Sequence, residues 1–187
     1  SSLGIRGSVA LNLTDGIVRI AIFLGYIAVI SRMENIRRVF QYHGAEHKAI
    51  NTLEAGGELT TASCMKASRI HPRCGTSFII VVLLASILVH SVFPRPEQYF
   101  ARVALHLALI PVVAGVAYEV IRFAGRFRRV RLLSVLLAPG LWTQRLTTRE
   151  PDASQVEVAL QSLNAVLALE RGEGAPAVEA VPAASVA

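Results

Sequence analysis

Ser77–Phe93 reads SFIIVVLLASILVHSVF, an apolar run without a single Asp, Glu, Lys or Arg. A helix needs about 20 apolar residues to cross a bilayer, with a working range of about 17–25. This run is long enough. A buried core helix is the competing reading, but a second run weakens it. Val103–Ile121 (VALHLALIPVVAGVAYEVI) follows after a short Pro-containing link. Upstream, Ile17–Ile30 (IVRIAIFLGYIAVI) is a third candidate, shorter and carrying Arg19. That arginine can pair with Asp15 one helical turn earlier or extend its stem toward the interface. The expected fold is all-α: a polytopic membrane protein with about three transmembrane helices, near 14–31, 77–93 and 103–121.

Composition agrees. Of the 187 residues 53% are apolar and 17% charged, with a mean hydropathy of +0.50. The net charge of +6 is unevenly spread. Arg32, Arg37, Arg38, Lys48, Lys66, Arg69 and Arg73 lie between the first two runs, and Arg122, Arg126, Arg128, Arg129 and Arg131 follow the third. The link between the second and third runs carries only Arg95 and Arg102. Short loops rich in Lys and Arg stay in the cytoplasm, so 31–76 and the C-terminal part are expected inside. The arginines cluster at the ends of apolar runs, where anionic lipid headgroups and the bilayer are their natural partners. Nucleic acid is set aside on that ground.

The loop between the first two spans holds the chemistry. It opens FQYHGAEHKAI from Phe40 and closes RIHPRCGTSF at Phe78. On a helix, His43 and His47 are four apart and share a face. That spacing suits two imidazoles on one Zn²⁺ or another divalent transition metal. Glu46 completes an H-x-x-E-H pattern, in which a glutamate takes the proton of a water that zinc has acidified. His71 and Cys74 follow as H-x-x-C in a turn set by Pro72. Two cysteines define no disulfide framework, and both fall in the expected cytoplasmic loop.

Ligand count leaves two chemistries open. His43, His47, His71 and Cys74 would close a structural tetrahedral site, whereas two histidines plus one ligand leave a position for water. Glu119, a carboxylate inside the third run, is a candidate third ligand, or else a partner for Arg122 or Arg73. His90 and His106 read as packing or interfacial residues, Lys48 as a solvated one, and Cys64 as buried or ligating in equal measure. Arg73 can hold a carboxylate or a lipid phosphate.

Elsewhere, Gly4, Gly7 and Gly16 argue against one uninterrupted helix over the first residues. Gly56-Gly57 ends the histidine helix. An interfacial helix over 130–142 is expected to break at Pro139-Gly140, with Trp142 at headgroup level. A helix over 152–170 opens with Asp152 and Gln155 spaced as a capping box, and Val156, Ala159, Leu160, Leu163 and Leu167 form its apolar stripe. The tail 172–187 has the composition of a disordered segment. Residues 1–171 read as a single membrane-embedded helical domain.

The blocks YHGAEHK, HPRCGTSF, PVVAGVAYE and APGLWTQRLTTREPD, in this order, resemble the YqhQ-like family of bacterial membrane proteins over about Thr14 to Leu169. The resemblance implies a multi-pass protein of the bacterial cytoplasmic membrane, with a label of predicted metal-dependent enzyme. It implies a polar signature of His43, Glu46, His47, His71, Cys74 and Glu119. It also draws in Arg73, Arg145, Thr147, Thr148, Arg149, Glu150 and Asp152. A longer N-terminal region is expected in such proteins. Two functions follow as expectations. One is a membrane-embedded metal-dependent hydrolase with its site on the cytoplasmic face and Glu46 as general base. The alternative is a non-catalytic scaffold or assembly factor whose His/Cys/Glu cluster is structural, with a membrane-protein partner or a second copy bound over 145–169.

Overall fold

The computed structural model describes residues 2–93, 96–126 and 131–173. Seven helices, and no strand among the described residues, make it all-α. They are α1 (Ser2–Ile30), α2 (Glu34–Glu54), α3 (Thr61–Lys66), α4 (Gly75–Val92), α5 (Tyr99–Arg126), α6 (Arg131–Thr147) and α7 (Ala153–Glu170). The expected single domain over 1–171 resolves into two compact units. One joins 1–30 to 72–146, the other 31–71 to 147–187.

The first unit contains the three long apolar helices. Ala10–Ile30, Gly75–Val92 and Tyr99–Phe123 are long and apolar enough to cross a membrane. Only 6%, 22% and 17% of their most apolar windows is buried. Apolar helices with so little of their length buried suit contact with lipid chains. Within the unit α1 packs on α4 and α4 on α5. Val81 and Ala85 of α4 meet Val113 and Ala117 of α5, with Leu141 of α6 against them.

Two expectations fail here, both at helix breakers. Gly16 does not interrupt α1. A Cβ at Gly16 would run into the Ile87 side chain, so the missing side chain serves a close crossing of α1 and α4. Nor does Pro139-Gly140 end α6, which continues to Thr147 with Pro139 inside. The proline removes one N–H, leaving the Val135 carbonyl without its helical donor. Gly140 repays the accommodation: Ser77 lies against it, and the Gln144 amide donates to the Ser77 hydroxyl at 2.6 Å. Val130, where the interfacial helix was expected to start, lies outside the described residues, as does the tail beyond 173.

In the second unit α2 packs on α7 and α3, and α3 on α7. The expected stripe on α7 is the contact surface: Val156 and Leu160 are buried against Ala45, Ala49 and Cys64, with Ala159 and Leu163 beside them. Cys64 is therefore a core residue. The capping box at Asp152 and Gln155 forms in full. Thr60 caps α3, accepting from the Ser63 N–H at 3.3 Å. Ser31–Met33 form a turn, so the charged stretch after α1 starts a new helix and does not continue the old one.

Candidate metal centre

Three imidazoles gather in the second unit. His43 and His47 lie one turn apart on α2, ring centroids 4.4 Å apart in an edge arrangement, and their ligating nitrogens are within 4.8 Å of each other. The His71 ring is 5.8 Å from that of His47. His47 and His71 are buried.

What holds each ring is as informative as where it sits. His43 Nδ1 lies 2.9 Å from the Thr147 carbonyl, and His47 Nδ1 2.8 Å from the Arg69 carbonyl. A carbonyl can only accept, so each Nδ1 carries the proton and donates. The lone pair of the neutral ring is then on Nε2. Metal-ligating histidines are oriented in this way, through the nitrogen that does not bind the ion. His71 Nε2 faces the Glu54 carboxylate at 3.2 Å. A carboxylate behind a histidine is the other common support of a metal ligand.

The carbonyls that orient His43 and His47 lie in the loop after α3 and at the last residue of α6, where the chain turns along α2. The loop after α3 has backbone carbonyls without helical partners, and such groups need donors. Lys48 Nζ donates to the carbonyls of Met65 (2.8 Å) and Ala67 (2.9 Å), and Asn51 to those of Ser68 (2.7 Å) and Ile70 (3.0 Å). The second segment, 147–150, lies along α2 as a strap. The Arg149 N–H donates to the Phe40 carbonyl at 2.8 Å, and Arg69 donates to both the carbonyl and the hydroxyl of Thr148 at 2.7 Å. Glu150 accepts from Lys48 at 2.6 Å and pairs with Arg69 at 3.6 Å. Gly44 permits the approach, because a Cβ there would collide with the Arg149 carbonyl oxygen.

Lys48, expected to be solvated, is thus only 3% exposed and saturated by three acceptors. Neither it, Gly44, Asn51 nor Arg69 stood out in the sequence as a positioning residue. Gly44 alone gave a signal, as a helix-weakening residue beside a histidine. Arg149 and Glu150 enter as parts of the strap, the former through its backbone.

Glu46 is exposed and walls an apolar groove of about 420 Å³ with Tyr42, Ile50 and, from α7, Val158, Leu163 and Val166; the histidines are not among its walls. Cys74, in the first unit, is the N-cap residue of α4, with Sγ 3.1 Å from the Thr76 hydroxyl. Arg73 and Arg122 line a cavity of about 570 Å³ with Cys74, Phe78, Tyr118 and Ile121. Glu119 is not a free ligand. Its carboxylate takes Arg122 at 3.2 Å, one turn along the same helix face. Below its usual 3.8, the Asp152 carboxyl is held by the Ser154 hydroxyl first and the Gln155 N–H second.

Fold and site together define a class: an all-helical chain with three helices of membrane length and a separate helical unit bearing backbone-anchored histidines. The chain belongs to the family described as a protein of unknown function (DUF1385), whose model matches residues 2–169. It is similar to the uncharacterized protein YqhQ of Bacillus subtilis strain 168, at 42% identity over 156 residues. That match covers 83% of this chain and 49% of the relative, so the chain spans about half that protein's length. No solved structure matches.

Proposed function

We propose that this chain is a metal-dependent hydrolase of the bacterial cytoplasmic membrane. In this reading α1, α4 and α5 span the bilayer and the second unit faces the cytoplasm. The excess of Lys and Arg in 31–76 and after α5 supports that orientation. His43 and His47 would hold Zn²⁺ or a similar divalent transition ion through Nε2. Two imidazoles leave the ion's other positions to water or to a further ligand. Bound there, the ion would supply a Lewis acid and lower the pKa of water to about 7.

One observation carries the reading: both histidines of the pair spend Nδ1 on backbone carbonyls, which fixes each ring with Nε2 as the ligating atom. Glu46, in the same helical turn, is the group that takes the proton from the attacking water. Its exposure beside an apolar groove favours a second reading, in which the ion only clasps the histidine loop to α2 and the groove serves a partner.

Metal analysis of the purified chain beside His43→Ala, His47→Ala and Glu46→Gln tests both. The expected result is one equivalent lost in each alanine variant and none in Glu46→Gln. Equal, near-zero metal in all samples would end the metal reading. Retained metal with an unchanged cellular phenotype in Glu46→Gln would select the clasp.

A further inference from the structure

The cavity of about 570 Å³ in the first unit is walled by two kinds of residue, sorted by depth. Gly75 opens one helix of membrane length and Phe123 closes another, and α4 and α5 pack antiparallel through Val81, Ala85, Val113 and Ala117. Gly75 and Phe123 therefore mark the same end of the helix layer. Arg73 stands two residues before the first and Arg122 one before the second, which puts both guanidiniums at the depth of lipid headgroups. Phe78 lies three residues inside Gly75 and Tyr118 five inside Phe123, about 4.5 and 7.5 Å deeper at 1.5 Å per residue. Ile121 completes the apolar wall. Tyr118 is exposed, so that wall is open on the side where lipid chains lie.

Among the described residues the walls include two guanidiniums and no carboxylate. Glu119 reaches Arg122 from outside the cavity, at 3.2 and 3.5 Å, but through Nη1 alone. A guanidinium carries five N–H donors, so an arginine with one partner keeps donors for another. Phosphate is an acceptor that a guanidinium takes by two parallel hydrogen bonds. A free phosphate would use the charged lip and leave the apolar wall bare. An amphiphile with an anionic head matches both, and the volume lies within the range of about 300–1,000 Å³ usual for small-molecule sites.

We infer that this cavity binds one anionic phospholipid, its phosphate at Arg73 and Arg122 and an acyl chain against Phe78, Tyr118 and Ile121. Basic pockets between membrane helices take acidic headgroups in this way. The inference is independent of the function proposed for His43 and His47: it uses neither histidine and needs no ion.

The test is electron spin resonance of the full chain reconstituted in phosphatidylcholine vesicles, with chain-labelled phosphatidylglycerol or phosphatidylcholine as the probe. Wild type should immobilise labelled phosphatidylglycerol in preference to labelled phosphatidylcholine. A basic residue near anionic lipid is worth about fivefold, so Arg73→Gln and Arg122→Gln should each lower the preference by up to that factor and the double variant should abolish it. Glu119→Gln should raise it by releasing Nη1 of Arg122, a gain that misfolding does not produce. Equal immobilisation of the two lipids by wild type would overturn the inference. So would a preference untouched by the double variant, or one lowered by Glu119→Gln. Displacement of the labelled lipid by inorganic phosphate at matched ionic strength would overturn it as well, because the cavity would then be a site for a free anion.

Discussion

Two histidine pairs in this molecule present the same nitrogen by different means. His43 and His47 borrow their acceptors from residues 104 and 22 positions away, whereas His90 and His106 use carbonyls four residues back in their own helices. The first pair is therefore oriented by tertiary structure and the second by the helix alone. Damage to the loop or the strap should scatter the first pair and leave the second in place.

Gly44→Val is the strongest way to separate them. The new side chain meets a backbone carbonyl that cannot rotate away, and overpacking of this kind costs about 3 kcal/mol. We expect the thermal midpoint of the second unit to fall and metal at His43/His47 to be lost. Lys48→Met comes next. It strips the Met65 and Ala67 carbonyls of their donor and should cost about 2 kcal/mol by denaturant titration. The partly exposed Glu150 adds little to that figure.

Asp152→Ala should cost about 1 kcal/mol by removing the α7 cap. The same residue gives a pH signature. Its carboxyl is depressed in the folded chain, so its contribution is complete above the ordinary value of 3.8 and lost as pH falls through the lower folded value. An acid titration of helicity should show this limb in wild type and lose it in Asp152→Asn, which keeps a neutral cap. The smallest effect belongs to Glu119→Gln. An exposed pair one turn apart is worth less than about 0.5 kcal/mol, and metal at His43/His47 should not register its loss.

Apolar runs, the α7 stripe and the Asp152–Gln155 box were legible because each is written in neighbouring residues. The helix breakers misled. Gly16 and Gly140 carry the same local signal whether they end a helix or serve a close contact, and only Ile87 and Ser77, distant in sequence, decide which. The same limit explains the site. His43, His47 and His71 could be picked out by type and spacing, but Lys48, Asn51 and Arg69 act on partners in other segments and look ordinary in their own. Glu119 shows the converse: a carboxylate in an apolar run reads as a partner for a nearby arginine ahead of a metal ligand, and Arg122, three residues on, takes it.

The second unit is made of two separated stretches of chain, and this fixes an order of events during synthesis. The carbonyl that orients His43 belongs to Thr147, so the ring waits 104 residues for its acceptor. At about 5–20 residues per second that is a delay of roughly 5–20 s, during which α4 and α5 are made. The histidine centre is thus a late product of translation, completed only after the helices of membrane length have left the ribosome.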